Sequence, residues 1–224
     1  MCGIAGSSRE SMFEILMQAN SDRGKFASGI LQLYKKHGHI TFKKKKSINF
    51  DDDPILDPKC KYYIGHNQAP TGGERKFEYD TCHPFFSLNW AIVHNGVLTN
   101  EEALRKKELK TSENLVDSSL IVDLLEKHTV SDGTLKIEEQ SNVIKKTLKK
   151  LRGSFALAIV YLPTNAIYIV RQGSVLHFDK KGNFSTIKGD TFDLVPEGVL
   201  FRLVRNRWTE VGKFKTKSPF AFVK

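Results

Sequence analysis

Cys2-Gly3-Ile4-Ala5-Gly6-Ser7 puts a thiol and a run of small or aliphatic residues directly behind Met1. Such a run suits a short strand, and residues 8–19 then bring Met12, Ile15, Leu16 and Ala19 to helical spacing. A strand followed at once by a helix opens the architecture. The same stretch has a chemical reading. Methionine aminopeptidases act when the second residue is small, and removal of Met1 would free the α-amine of Cys2. That amine, with a typical pKa of about 7.7 to 8.0, would sit beside a thiol of about 8.5, so one residue would serve as nucleophile and base. A cysteine at position two fits a small buried thiol equally well, and its position alone does not separate the two readings.

Outward from this opening, residues 27–35 and 40–44 flank Lys36-His37-Gly38-His39 and predict a hairpin. Residues 61–68 and 88–94 predict two further strands, the second ending in Asn95-Gly96, the commonest type I′ turn dipeptide. Between them, residues 69–86 hold Pro70, Pro84 and Gly72-Gly73 and predict a long surface loop. Helices follow. Thr99 or Asn100 can cap one beginning at Glu101; Asp117 can cap another with Leu120, Ile121, Leu124 and Leu125 on one face; Ile144, Leu148 and Leu151 mark a third. The pattern then returns to strands over 154–161, 166–171, 175–178 and 199–204, with turns at Pro163-Thr164-Asn165 and Lys180-Lys181-Gly182-Asn183. Two sheets enclosed by helices account for this order. Phe214, Phe220 and Phe222 in the basic C-terminal segment predict that the tail docks.

The length of 224 residues predicts one domain over 1–224, with a core over about 2–204 and a basic tail over 205–224. With 40% hydrophobic and 27% charged residues, the chain has no apolar run near the roughly 20 residues that cross a bilayer. A soluble, cytoplasmic protein without a membrane partner is expected. Cys2, Cys60 and Cys82 are too few and scattered for a disulfide framework, and no CxxC or HxxxH pair predicts a metal. The net charge of +10 suits either polyanion attraction or simple solubility. Lys43-Lys44-Lys45-Lys46 has no interleaved aromatics and no nucleic-acid-binding motif beside it, which favours a solvated face over nucleic acid contact.

Several blocks, taken in order, carry a resemblance. Cys2-Gly3-Ile4-Ala5-Gly6 is similar to the opening of class II glutamine amidotransferases, and Arg23-Gly24-Lys25-Phe26-Ala27-Ser28-Gly29 to the arginine-glycine block that leads into their second strand. Gly65-His66-Asn67-Gln68-Ala69-Pro70-Thr71 resembles their substrate loop, His83-Pro84-Phe85 the segment after it, and His94-Asn95-Gly96 their oxyanion motif. Asp117 falls where the family has an aspartate before its long helix. Leu151-Arg152-Gly153-Ser154-Phe155-Ala156 and Arg171-Gln172-Gly173-Ser174-Val175-Leu176 resemble the return to the second sheet. The resemblance spans roughly residues 2–204.

It implies an α+β fold, the four-layer αββα sandwich of N-terminal-nucleophile hydrolases, and hydrolysis of the glutamine side-chain amide to glutamate and ammonia without a cofactor. Cys2 would form a γ-glutamyl thioester that water cleaves. Asn95, through its side-chain amide, and Gly96, through its N–H, would donate to the oxyanion. Asp117 would pair with the substrate's α-ammonium, or else simply cap its helix. Thr71 and residue 68 would contact substrate. Arg23 would tether loops through backbone carbonyls, and His66, His83 and His94 would be structural.

At position 68 the family usually has an arginine that grips the α-carboxylate of glutamine, whereas this chain has Gln68. A neutral amide supplies neither the charge nor the fork geometry. Arg75 in the same loop can replace the charge, the substrate can be an amide without a free carboxylate, or activity can be lost with the fold retained. The sequence ends where a glutaminase domain would end, so the expected partner is a separate ammonia-accepting synthase.

Overall fold

A computed structural model describes residues 2–36, 39–47, 56–69, 81–109, 116–130 and 133–215. Strand β1 (Gly3–Ser7) is followed by helix α1 (Glu10–Ala19), then β2 (Ala27–Lys36), β3 (His39–Ser47) and β4 (Tyr62–Gln68). A short β5 (Phe85–Phe86) precedes the long β6 (Trp90–Leu98). The middle third is helical: α2 (Glu101–Leu104) running into a π-helical turn (Arg105–Leu109), α3 (Asp117–His128) and α4 (Ile137–Leu148). Then come β7 (Gly153–Tyr161), β8 (Ala166–Gln172), β9 (His177–Phe178), β10 (Phe184–Ser185), β11 (Asp193–Leu194), β12 (Val199–Val204) and β13 (Arg207–Lys213).

Two sheets with antiparallel strand pairing result. The first has the order β11-β9-β10-β1-β4-β2-β3 and the second β13-β12-β8-β7-β6-β5. They pack face to face through Ile4, Leu31, Leu33 and Ile64 on one side and Ala91, Val93, Ala156, Ala158 and Ile169 on the other. Helix α1 covers the outer face of the first sheet, with Phe13 against Ile30 and Tyr63 and Leu16 against Ala5. Helices α3 and α4 cover the second, with Leu120, Leu124, Ile144 and Leu148 packed against Ile92, Phe155, Leu157 and Tyr168. Helix, sheet, sheet and helix make the expected αββα sandwich, and the predicted apolar stripe of α3 is wholly buried.

Three expectations are corrected. Asn95-Gly96 is no hairpin turn. β6 continues to Leu98, pairing Asn95 with Ala156 and Gly96 with Phe155, because a glycine in near-extended backbone can stay in the ladder. Asp117 does not cap α3: it is the first helical residue, and its carboxylate reaches another element. Residues 207–213 are not tail but strand β13, joined to β12 by a two-residue turn. At that turn Arg205 and Asn206 both take positive φ, 48° and 57°, as a type I′ turn requires. Phe214 docks as expected, 5% exposed and stacked on Phe155; Phe220 and Phe222 lie outside the described residues. Lys43 to Lys46 fall in β3, at the edge of the first sheet.

Candidate active site

Strand alternation directs the chemistry-bearing residues of the two sheets toward each other. On β1, Ile4 faces the inter-sheet core, whereas a Cβ on Gly3 would meet Asn20 on the helix side; Cys2, in step with Ile4, therefore faces inward. On β6, Ala91 and Val93 face the inter-sheet core, so Asn95 does too, while Ile92 and His94 face the helices. Cys2 and Asn95 thus open onto the same inter-sheet space. β4, the neighbour of β1, is tied to β6 near that end by His66, whose Nε2 lies 3.0 Å from the His94 carbonyl oxygen.

Cys2 is 9% exposed. Its Sγ donates to the Ala69 carbonyl at 3.7 Å, and its own carbonyl accepts from Arg23 Nε at 3.2 Å. Burial pushes the thiol pKa up; of the charged side chains nearby, Asp117 pushes the same way and Arg23 opposes it. The Asp117 carboxylate is therefore within electrostatic reach of the thiol. Its Oδ2 accepts the Leu98 N–H at 3.0 Å and its Oδ1 the Ser118 hydroxyl at 3.2 Å, which fixes the start of α3 to the end of β6.

The direction of the Gly96 N–H follows from its neighbours. The His94 carbonyl turns to His66 and the Leu98 N–H to Asp117, both away from β7. Within a strand, residues two apart point their backbone groups the same way. Gly96, midway between them, directs its N–H out of the β6–β7 ladder. No side chain fits there: a Cβ on Gly96 would stand 2.1 Å from the Ser154 carbonyl oxygen.

His66, His83 and His94 are 1%, 3% and 2% exposed, with His83 stacked on His66 at 3.8 Å between ring centres. His94 Nδ1 pairs with Ser118 Oγ at 2.9 Å, and burial holds its pKa below the ordinary histidine value. Of the three rings, that of His94 meets α3; His66 reaches across to β6, and His83 packs against His66 and Phe85. Gln68 lies at the end of β4, 5% exposed, its Nε2 donating to the Thr81 carbonyl at 3.2 Å. Thr71 and Arg75 lie outside the described residues. Ser118, the Thr81 carbonyl and the Leu98 N–H were not singled out in the sequence, because each acts through position in the fold rather than through a motif. A cavity of 740 Å³ lies on the other side of the first sheet, lined by Phe13, Met17, Ile30, Leu56 and Asn67 among others, and contains none of the candidate residues.

Comparison with known proteins supplies the context. A family model described as a glutamine amidotransferase domain matches residues 81–175. A glutamine–fructose-6-phosphate aminotransferase of Geobacillus kaustophilus is 31% identical over 204 residues, covering 87% of this chain and 33% of the relative. The chain thus spans about a third of the length of the curated relatives it matches. Among solved structures, glutamine phosphoribosylpyrophosphate amidotransferase from B. subtilis superposes with a TM-score of 0.69 at 17% identity, covering 96% of this chain and 49% of that one. A protein from Pseudomonas aeruginosa described as a predicted glutamine amidotransferase superposes with a TM-score of 0.56 at 14% identity, covering 92% of this chain and 94% of that one.

Proposed function

We propose that this chain, which belongs to the class II glutamine amidotransferases, hydrolyses the side-chain amide of glutamine or a closely related amide, with Cys2 as nucleophile once Met1 is removed. The observation that carries the reading is the convergence of Cys2 and Asn95 on one inter-sheet space, beside a Gly96 N–H that is not used by the sheet.

In this reading the freed α-amine of Cys2 takes the thiol proton as sulfur attacks the γ-carboxamide carbon. Asn95 Nδ2 and the Gly96 N–H donate to the oxyanion; losing one such donor typically costs about 100- to 1000-fold. The amine returns the proton to the leaving nitrogen, ammonia departs, and water cleaves the γ-thioester. Asp117 pairs with the substrate's α-ammonium: each of its oxygens accepts one hydrogen bond from the protein and keeps lone-pair capacity for a second. Gln68 and Thr71 contact the rest of the substrate, and Arg23 holds the Cys2 backbone. The acceptor of the ammonia is a separate synthase, and the reaction takes place in the cytoplasm.

The test combines intact mass with an ammonia assay. Protein lacking Met1 should release ammonia, and Cys2→Ala should abolish that release while leaving the thermal melt in place. Unchanged release by Cys2→Ala, or release by protein that keeps Met1, would remove Cys2 from the chemistry.

A further inference from the structure

Gln68 stands directly across from Cys2. The β1–β4 register pairs Ile4 with His66 and Gly3 with Asn67, and one further step sets Cys2 opposite Gln68. Ile4 uses its backbone groups on the side away from β4, donating to Thr186 Oγ1 at 3.1 Å and accepting the Thr186 N–H at 3.0 Å. Even-numbered residues of β1 therefore make the non-hydrogen-bonded pairs with β4, in which opposed side chains come closest. Gln68 shares the inward face of β4 with Ile64 and is almost fully buried.

The orientation of its amide is fixed. Only the nitrogen can donate to the Thr81 carbonyl, so Oε1 points elsewhere. That oxygen is buried and has no hydrogen-bond partner among the described residues. Buried acceptors are normally satisfied, so an orphan beside a nucleophile calls for a donor that arrives with the substrate.

We infer that Gln68 Oε1 is the specificity-determining contact of the site, and that it accepts a substrate N–H where free glutamine would present a carboxylate. The preferred substrate is then a glutaminyl residue whose α-carboxyl is itself an amide. A carboxylate has only acceptor atoms: one N–H of the Gln68 nitrogen is used by Thr81 and the second can still reach a carboxylate, but Oε1 is left facing an oxygen unbonded. An amide N–H satisfies the orphan instead. This rests on the hydrolase reading above and leaves its chemistry unchanged: the thiol displaces ammonia from the γ-amide, and water oxygen enters the new γ-carboxylate. The products are ammonia and the α-amide of glutamic acid.

The experiment compares L-glutamine with L-glutamine α-N-methylamide, in which ammonia can come only from the γ-amide, using the full chain with Met1 removed. The expected result is a kcat/KM about ten- to hundredfold higher for the methylamide. Gln68→Arg should reverse the preference, and Gln68→Leu, which removes both the amide oxygen and the amide nitrogen, should abolish it without improving glutamine. Equal turnover or a preference for glutamine in the unaltered protein overturns the inference while leaving the hydrolase reading intact. No ammonia from either compound, together with failure of iodoacetamide to label Cys2, overturns both.

Discussion

At the scale of single residues, Gly96 is the position where backbone room and the proposed chemistry coincide. Gly96→Ala would drive a methyl group into the Ser154 carbonyl and to 2.8 Å from His94 Nε2. The expected cost is about 1 to 3 kcal/mol of stability, read as a lower melting temperature. Displacement of the donor should also cut ammonia release by at least about 100-fold. An alanine variant with unaltered release would take Gly96 out of the oxyanion site. Cys2, Asn95 and Gly96 are candidates because each sits in a short block with recognisable neighbours, and Asp117 because it precedes the long helix. The second bond of each was not legible. That Asp117 would hold the Leu98 N–H, or that the nitrogen of Gln68 would be committed to Thr81, depends on residues brought together by the fold. Arg105 is the clearest omission: it reads as one cation in a charged helix, yet it is 3% exposed and bonds Glu101, Ser119 and the Val116 carbonyl.

At the scale of elements, α3 was read well because one buried stripe leaves a period in the sequence, as Leu120, Ile121, Leu124 and Leu125 show, whereas in α1 the expected stripe of Met12, Ile15, Leu16 and Ala19 is corrected: Ile15 is 62% exposed and the buried residues are Phe13 and Leu16. Strand ends were read less well. Asn95-Gly96 carries a turn signal that the pairing with β7 overrides, and the turn at Arg205-Asn206 lacks the glycine that would have announced it. Where α3 meets α4, His128 Nδ1 pairs with Thr147 Oγ1 at 2.9 Å, and burial lowers the His128 pKa to about 4. In the unfolded chain a histidine titrates near 6.5. The unfolded state therefore binds more protons between these values. The contribution is fully present above about pH 6.5 and is lost as pH falls to about 4, at no more than about 1.4 kcal/mol per pH unit. His128→Gln, which can keep the Thr147 bond, should flatten the fall in denaturation midpoint across that window. An unchanged pH profile would show that His128 does not report on the helix joint.

At the scale of the whole molecule, four layers were foreseeable from the order of elements, but the order of strands within each sheet was not. Every residue of β1 and β4 is buried, so neither strand alternates between polar and apolar in a way that marks its two faces. Both sheets are covered on both sides, and the information that sets register lies in the partner strands. Ile64, in the layer between the sheets, shows what that layer contributes: Ile64→Ala should cost about 2 to 5 kcal/mol, measured by denaturant titration. A loss below about 1 kcal/mol would mean that the sheets do not depend on this contact. The same arrangement has a temporal side. β1 has β4 as one neighbour, but its other neighbour is β10, with Ala5 paired to Ser185. Closing a contact over so long a stretch of chain is slow, and it follows the local helices. The strand that follows Cys2 keeps one raw edge until the last third of the polypeptide has been made and has come back to cover it.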